Sequence, residues 1–315
     1  MALRAAGATD PGKRRAHNED FVTLRGELGL FVVADGAGGH EAGDIAAQAA
    51  ARSVSRHVEE SGPSPLSTPS LERLGIDPDA RLLCQALHRA HRDIVQIAQA
   101  SGSEKGMGTT VVALLFSSDS SRVAIAHVGD SRCYRMRGGH LELLTVDHSV
   151  GTDVLERRPD LDDKVLERLP RHVVTRALGM GDTVRVSVQT RPVVAGDRFL
   201  LCTDGLSGPT PAWEIAEILT EWEEPQDVVE QLIARANACG GPDNIGVVIV
   251  DCLQGAELAV PVEAAERQWR EESGRESDPE LLILGIEELD LARSMDDAGD
   301  DLIAALGRAV ERHKP

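Results

Sequence analysis

The chain has 315 residues, 42 % of them hydrophobic, with a formal net charge of −19. That length accommodates one large domain or two ordinary ones with a real core, and the acidic balance excludes a general binder of nucleic acid or of an anionic membrane surface, favouring cations or basic partners instead. Five cysteines (Cys84, Cys133, Cys202, Cys239 and Cys252) are odd in number and never spaced C-x-x-C, which argues against a disulfide framework or a zinc site and for reduced core thiols in a cytosolic protein.

The N-terminal stretch MALRAAGATDPGKRRAHNED has no apolar h-region, and no 18-residue apolar span follows, so neither a signal peptide nor a membrane helix is expected. Phe31 to Ala34 reads as a short strand, and the alanine-rich run Ala42 to Val58 as a helix. SGPSPLSTP, Ser61 to Pro69, is loop. From Asp79 the residues Leu82, Leu83, Ala86, Leu87, Ala90, Ile94, Ile97 and Ala98 recur at helical spacing, and Gly102 closes that helix. Short β-type runs then follow at Thr109 to Phe116, Arg122 to Val128, Cys133 to Met136 and His140 to Leu144, separated by SSDSS, GDS and RGG. This spacing favours antiparallel pairing.

The charged stretch Val150 to His172 reads as helical in part. Strands are expected at Val184 to Thr190 and Arg198 to Cys202, helices at Ala212 to Thr220 and Gln226 to Cys239, and a last buried strand at Ile245 to Asp251. Strands and helices come in blocks, which predicts an α+β fold: a β-sandwich covered by helices. Residues 253–315 carry 16 acidic and 7 basic residues, a net of −9, and read as a separate acidic, helical C-terminal extension. Within it, DDLIAALGRAVER places Leu302, Ile303, Leu306 and Val310 on one helical face, which needs an apolar surface: the chain's own core, or a basic partner if the extension is a docking arm.

Two stretches far apart, FVVADGAGGH and FLLCTDGLSG, each carry an apolar run to Asp-Gly and then turn, and they place Asp35 and Asp204 at strand ends. Asp130 follows VAIAHVG, and Asp243 precedes IGVVIV. Any one of these is an ordinary turn residue. Four carboxylates at the mouths of four apolar strands, three of them beside glycines, point to a shared site, because a strand core does not take an unpaired charge. Converging carboxylates repel one another and their pKa values rise unless a cation sits among them. The all-oxygen set suits Mg²⁺ or Mn²⁺, completed by waters and by the carbonyl of Gly36, which has no side chain to shield it. Two such ions can activate a water and hold a phosphoryl group.

RAHNED (Arg15 to Asp20), VVADGAGGH (Val32 to His40), MGTT (Met107 to Thr110), VGDSR (Val128 to Arg132), LTVDHS (Leu144 to Ser149), VVTRALG (Val173 to Gly179), LLCTDGLSG (Leu200 to Gly208) and GPDNIGVVIV (Gly241 to Val250) occur in this order. Together they resemble the metal-dependent serine/threonine protein phosphatases of the PPM (PP2C-like) type, in their bacterial version. The resemblance covers residues 8–252 as a phosphatase domain and leaves the extension 253–315 uncovered. It implies an αββα four-layer sandwich around a central antiparallel β-sandwich, with both Asp-Gly segments as central strands of the two sheets.

It further implies two Mn²⁺ or Mg²⁺ ions and a possible third. Asp35 bridges two ions, one of them also held by the Gly36 carbonyl; Asp204 and Asp243 hold the other, and Asp130 with Asp204 holds the third. Glu19 and Asp20 act through metal-bound waters, Asp20 being counted with the catalytic residues. Arg15 is implied as the phosphate-binding residue, its fork matching phosphate oxygens, with Arg14 as the competing register. His40 is a candidate general acid and His17 a weaker one, while His148 fixes a turn. The implied reaction is attack by a metal-bridging hydroxide on phosphoserine or phosphothreonine, without a phosphoenzyme. The partners would be phosphorylated proteins, including a serine/threonine protein kinase or its substrates. The alternative is a catalytically silent, phosphoprotein-binding or regulatory copy of the fold, against which the four retained carboxylates argue.

Other phosphatase chemistries do not fit. No cysteine has an arginine six positions on, GDSR lacks the histidine of GDxHG enzymes, and no D-x-D pair ends a strand. Two features stand apart from the pattern. Many relatives read DNIT or DNIS where this chain has Asp243-Asn244-Ile245-Gly246, and the variable flap, Gly151 to Arg171, is charged and names no substrate.

Overall fold

A strand buried on both faces reads in sequence as an unbroken apolar run, and its side chains must then divide between two cores. Strand β4 (Gly108–Phe116) is buried along its whole length. Val111, Ala113 and Leu115 pack into one core while Val112, Leu114 and Phe116 pack into another. Strand β3 (Leu30–Ala37) divides in the same way: Leu30 and Val32 face the first core, Phe31 and Val33 the second. This alternation alone predicts a sheet with a helical layer on one face and a second sheet on the other.

The computed structural model describes residues 2–38, 41–62, 77–102, 106–158, 160 and 173–253, and the backbone of 282–284. The remaining strands are β1 (Ala2–Asp10), β2 (Asp20–Arg25), β5 (Arg122–Val128), β6 (Arg132–Arg137), β7 (His140–Leu143), β8 (Val186–Pro192), β9 (Arg198–Cys202), β10 (Ile245–Leu253) and β11 (Leu282–Leu284). They form two antiparallel sheets, one in the order β1-β10-β9-β6-β7 and the other β11-β8-β5-β4-β3-β2. Helices α1 (Glu41–Ser61) and α2 (Pro78–Ser101) cover the six-stranded sheet, burying Ala50, Val54, Leu83, Leu87 and Ile94 against it. The flap contributes α3 (Val150–Arg157), and a four-residue helix α4 (Asp204–Ser207) follows β9. Helices α5 (Ala212–Glu221) and α6 (Pro225–Ala238) cover the five-stranded sheet through Ile215, Leu219, Val228 and Leu232. The expected αββα four-layer sandwich is therefore present. Phe31, Phe116 and Phe199 meet edge-to-face between the sheets, with ring centroids 6.0 and 5.7 Å apart.

Helix α2 begins and ends as its sequence dictates. Asp77 caps it by accepting from the N–H groups of Asp79 and Ala80, Pro78 opens it, and Gly102 leaves it in the left-handed region. Among the described residues no helix is long and apolar enough to cross a membrane. All five cysteines are free; four are buried, and Cys239 is only partly so.

Several expectations are corrected. Strand β9 is central in its sheet, but β3 lies second from an edge. Strand β3 does not stop at Asp35 either: Gly36 and Ala37 continue its ladder against Thr109 and Gly108, so the carboxylate sits within the strand. Strands β1 and β2 were not among the predicted elements, and β1 begins upstream of residue 8. Within the extension expected to be helical, Leu282–Leu284 pairs antiparallel with Val186–Val188, where the open edge of β8 offers backbone partners to an extended segment. The amphipathic segment Asp300 to Arg312 lies outside the described residues, as do residues 161–171 of the flap.

Candidate metal centre

Asp20 opens β2 and stands directly opposite Asp35 on β3. Opposed residues of an antiparallel pair share a face, so two carboxylates are forced together where like charges destabilise a ladder. The other sheet supplies Asp204, the first residue of α4, and Asp243, just before β10. Asp130 lies buried in the turn between β5 and β6. The structure thus brings Asp20, Asp35, Asp130, Asp204 and Asp243 into one electrostatic neighbourhood. Asp35 is pushed well above the usual carboxylate range by burial and then by Asp20, Asp204, Asp130 and Asp243. Asp20 is pushed up to about 8, chiefly by burial, against the lowering effect of its bond from Thr203. Asp130 rises to about 7 through burial and the charge of Asp204.

Hydroxyls, amides and one imidazole hold these residues in place. The Thr109 hydroxyl donates to the carbonyl of Asp35 at 2.8 Å. The Thr110 and Ser131 hydroxyls meet at 2.7 Å and tie β4 to the Asp130 turn. His148 grips the same turn: its Nδ1 accepts from the Gly129 N–H at 3.1 Å, and its backbone N–H donates to the Gly129 carbonyl at 3.0 Å. Its other ring nitrogen lies 2.8 Å from the Ser187 hydroxyl. Nδ1 being the acceptor, Nε2 carries the proton, and burial keeps this imidazole neutral by lowering its pKa to about 2. The expected role of His148 in a turn is what the geometry gives it.

Gly36 has a packing reason to be glycine beyond an unshielded carbonyl. A Cβ there would stand 2.2 Å from the Gly43 carbonyl oxygen of α1 and 2.7 Å from that of Glu19. The Gly36 N–H donates to the Glu19 carbonyl at 3.1 Å, and the Glu19 carboxylate lies against Gly43. Arg15, exposed, places Nη2 2.8 Å from Asp243 Oδ2, and the charges of Glu19 and Asp35 also reach it. Of the two arginines weighed as phosphate binders, Arg15 is seen paired to Asp243. His17 is exposed and lends its carbonyl to Asn244. His40 lies outside the described residues.

Sequence reasoning missed Asn244 and Thr203 as organisers. The Asn244 side chain donates to the carbonyls of Pro11 and His17 at 3.0 and 2.9 Å and accepts from the Glu19 N–H at 2.9 Å. Its own N–H donates to Asp243 Oδ1 at 2.9 Å. The only signals available were adjacency to Asp243 and to Asp204.

The donor set fits a hard divalent cation. It is anionic and all-oxygen, Asp35 is surrounded by carboxylates, and Asp20 Oδ1 is buried without a hydrogen-bond partner. Among the described residues no three Asp, Glu, His or Cys side chains form a ready-made ligand set.

Comparison with known proteins decides the family. The model for "Protein phosphatase 2C" matches residues 13–246. The chain belongs to the protein phosphatase 2C family. It is 33 % identical over 252 residues to the serine/threonine phosphatase Stp of Listeria monocytogenes, covering 79 % of this chain and 96 % of that one. The crystal structure of the Mycobacterium tuberculosis serine/threonine phosphatase PstP superposes with a TM-score of 0.70 at 30 % identity, covering 81 % of this chain and 100 % of that one. A structure of the PstP catalytic domain in complex with two manganese ions aligns with a TM-score of 0.65 at 31 % identity, over 80 % of this chain and 99 % of that one. By this membership the chain is an enzyme of the serine/threonine protein phosphatase class.

Proposed function

We propose that this family member hydrolyses phosphoserine and phosphothreonine in proteins at a centre of divalent cations built on Asp35. The observation that carries the reading is the crowding of Asp35 by Asp20, Asp130, Asp204 and Asp243, together with the match to a relative whose structure holds two manganese ions. Asp35 and the Gly36 carbonyl would hold one ion and Asp35, Asp204 and Asp243 the other, with Asp130 and Asp204 available to a third. The cations, Mn²⁺ or Mg²⁺, would supply Lewis-acid activation of water and charge for the phosphoryl oxygens.

The chain's own residues do the remaining work. Arg15 presents an exposed guanidinium beside the carboxylates, which could fork onto phosphate oxygens if Asp243 were taken up by a cation. Asp20, with Oδ1 buried and unpartnered, is the acceptor for a proton of a water at the centre, and Glu19 stands next to it. The hydroxyl and imidazole supports fix the carboxylates before substrate arrives, so little reorganisation remains for the reaction. The partners are phosphorylated proteins, including a serine/threonine kinase or its substrates, met in the cytosol, where the five free thiols would stay reduced. The phosphatase domain, expected at residues 8–252, takes in the whole of β1 from Ala2, and 253–315 form an appended segment.

The test is turnover of p-nitrophenyl phosphate. Mn²⁺ should activate and EDTA abolish it. Asp35→Ala and Asp204→Ala should each lower it by more than about 100-fold while leaving the circular dichroism spectrum unchanged, since even outer-shell partners of metal ligands are worth about 10–100-fold. Activity undiminished by either substitution would refute the metal-centre reading.

A further inference from the structure

Thr203 lies between β9 and α4, immediately before Asp204, and is fully buried. It occupies the N-cap of α4, where a threonine hydroxyl ordinarily accepts a backbone N–H of the first turn, yet it makes no such bond. The hydroxyl instead accepts from the Gly246 N–H at 2.8 Å and donates to Asp20 Oδ2 at 2.8 Å. The Thr203 N–H completes the link by donating to the Gly246 carbonyl at 3.1 Å. A hydroxyl has one proton. With an N–H directed at its oxygen, that proton goes to Asp20, so the bond can be made only to an oxygen that is accepting.

The same three residues explain the departure at position 246. A Cβ there would stand 3.1 Å from Thr203 Cγ2 and 3.2 Å from Asp20 Oδ2. Glycine leaves free the space in which the hydroxyl and the carboxylate meet. The link also crosses between sheets: Asp20 belongs to β2 of the six-stranded sheet, Gly246 to β10 of the other.

We propose that Thr203 is a positioning residue of the metal centre, acting through Asp20: oriented by the Gly246 N–H, its hydroxyl holds Oδ2 at the junction of the sheets and leaves Oδ1 for the waters that a bound cation would carry. The inference rests on the metal-centre reading. It gives Thr203 a task separate from the backbone it contributes to the Asp204 turn, and it makes Gly246 a partner in that task. Valine keeps the shape of threonine and removes both hydrogen bonds, whereas serine keeps both.

The experiment is calorimetric titration of Mn²⁺ into the full chain, well below the melting temperature. Thr203→Val should weaken Mn²⁺ binding by about 10–100-fold, the range for outer-shell partners, and Thr203→Ser should bind within about 3-fold of the parent. In an Asp20→Asn background Thr203→Val should change little further, because a residue that acts through Asp20 has nothing left to position. A folded valine variant with parental affinity overturns the proposal. So does a valine effect that persists undiminished in the Asp20→Asn background, since Thr203 would then act elsewhere. Should the valine variant not fold, Gly246→Ala, which presses on both Thr203 and Asp20, takes its place with the same two outcomes. A parent chain that binds no Mn²⁺ at all would instead refute the metal-centre reading, and this proposal with it.

Discussion

Asp20 and Asp35 face each other across neighbouring strands, and in the metal-free protein they accommodate one another by holding protons. Asp20 and Asp130 are pushed up to about 8 and about 7, and Asp35 is raised well above the usual carboxylate range by burial and four neighbouring carboxylates. In the unfolded chain these groups titrate near 4. The folded, metal-free state therefore binds more protons between about pH 4 and about pH 8. The stability these groups contribute is full below about pH 4 and is lost as the pH rises through their folded values. Cation binding displaces those protons, so metal affinity grows as they leave. The gain in melting temperature on adding Mn²⁺ is accordingly expected to be larger at about pH 8 than at about pH 7, and an equal gain at both would contradict this account. His127 and His148 add a trend of the opposite sign only below about pH 6.5 and leave the comparison of pH 7 with pH 8 untouched. Burial holds them at about 4 and about 2, so their contribution is lost only as the pH falls below the unfolded histidine value near 6.5.

The elements that matter most for the site are connections. The segment 11–19 carries Arg15 and Glu19 and has no regular structure of its own. It is placed by Asn244 from the far end of the chain, through three hydrogen bonds, each worth about 1 kcal/mol net. Asn244→Ala should therefore imitate Arg15→Ala: at saturating Mn²⁺ both raise KM for an aryl phosphate several-fold with a smaller effect on kcat. The pair combined should be little worse than the worse single variant. Additive losses would mean that Asn244 does not act by placing Arg15.

This element scale also marks the limit of what the sequence discloses. The strands β3, β4, β9 and β10 are legible because burial on two faces makes their runs uniformly apolar, and α2 because Asp77, Pro78 and Gly102 punctuate a clean helical period. Strand β1, ALRAAGATD, has no such run. It is a strand because the edge of β10 offers it nine paired positions, a tertiary fact that no local pattern records. The clustering of the carboxylates was legible as a set, since several Asp at apolar strands are hard to explain singly. Their supports were not, because Thr203, Thr109 and Asn244 are common residue types whose roles depend on contacts up to 233 positions away.

At the scale of the whole molecule the open question is what lies beyond β10. The sandwich is complete in its layers without residues 254–315, yet Leu282–Leu284 adds a strand to β8, with Ile283 opposite Ser187. That is the strand whose Ser187 hydroxyl meets His148, and His148 in turn grips the Asp130 turn. The bond from Ser187 to His148 is made by a side chain, whereas β11 pairs with the backbone of β8, so the site is expected to form without β11. Edge strands do need cover: an exposed row of N–H and C=O groups invites pairing with another chain. Truncation after Leu253 is therefore expected to leave Mn²⁺-dependent turnover of a small aryl phosphate within about 3-fold, since every carboxylate and support described above lies before it. The same truncation should lower the melting temperature and increase self-association, measured by light scattering, as β8 becomes an edge. A folded, monomeric truncation that turns over no small substrate would place the appended segment in the construction of the active site, and would make β8 the route by which it acts on Asp130.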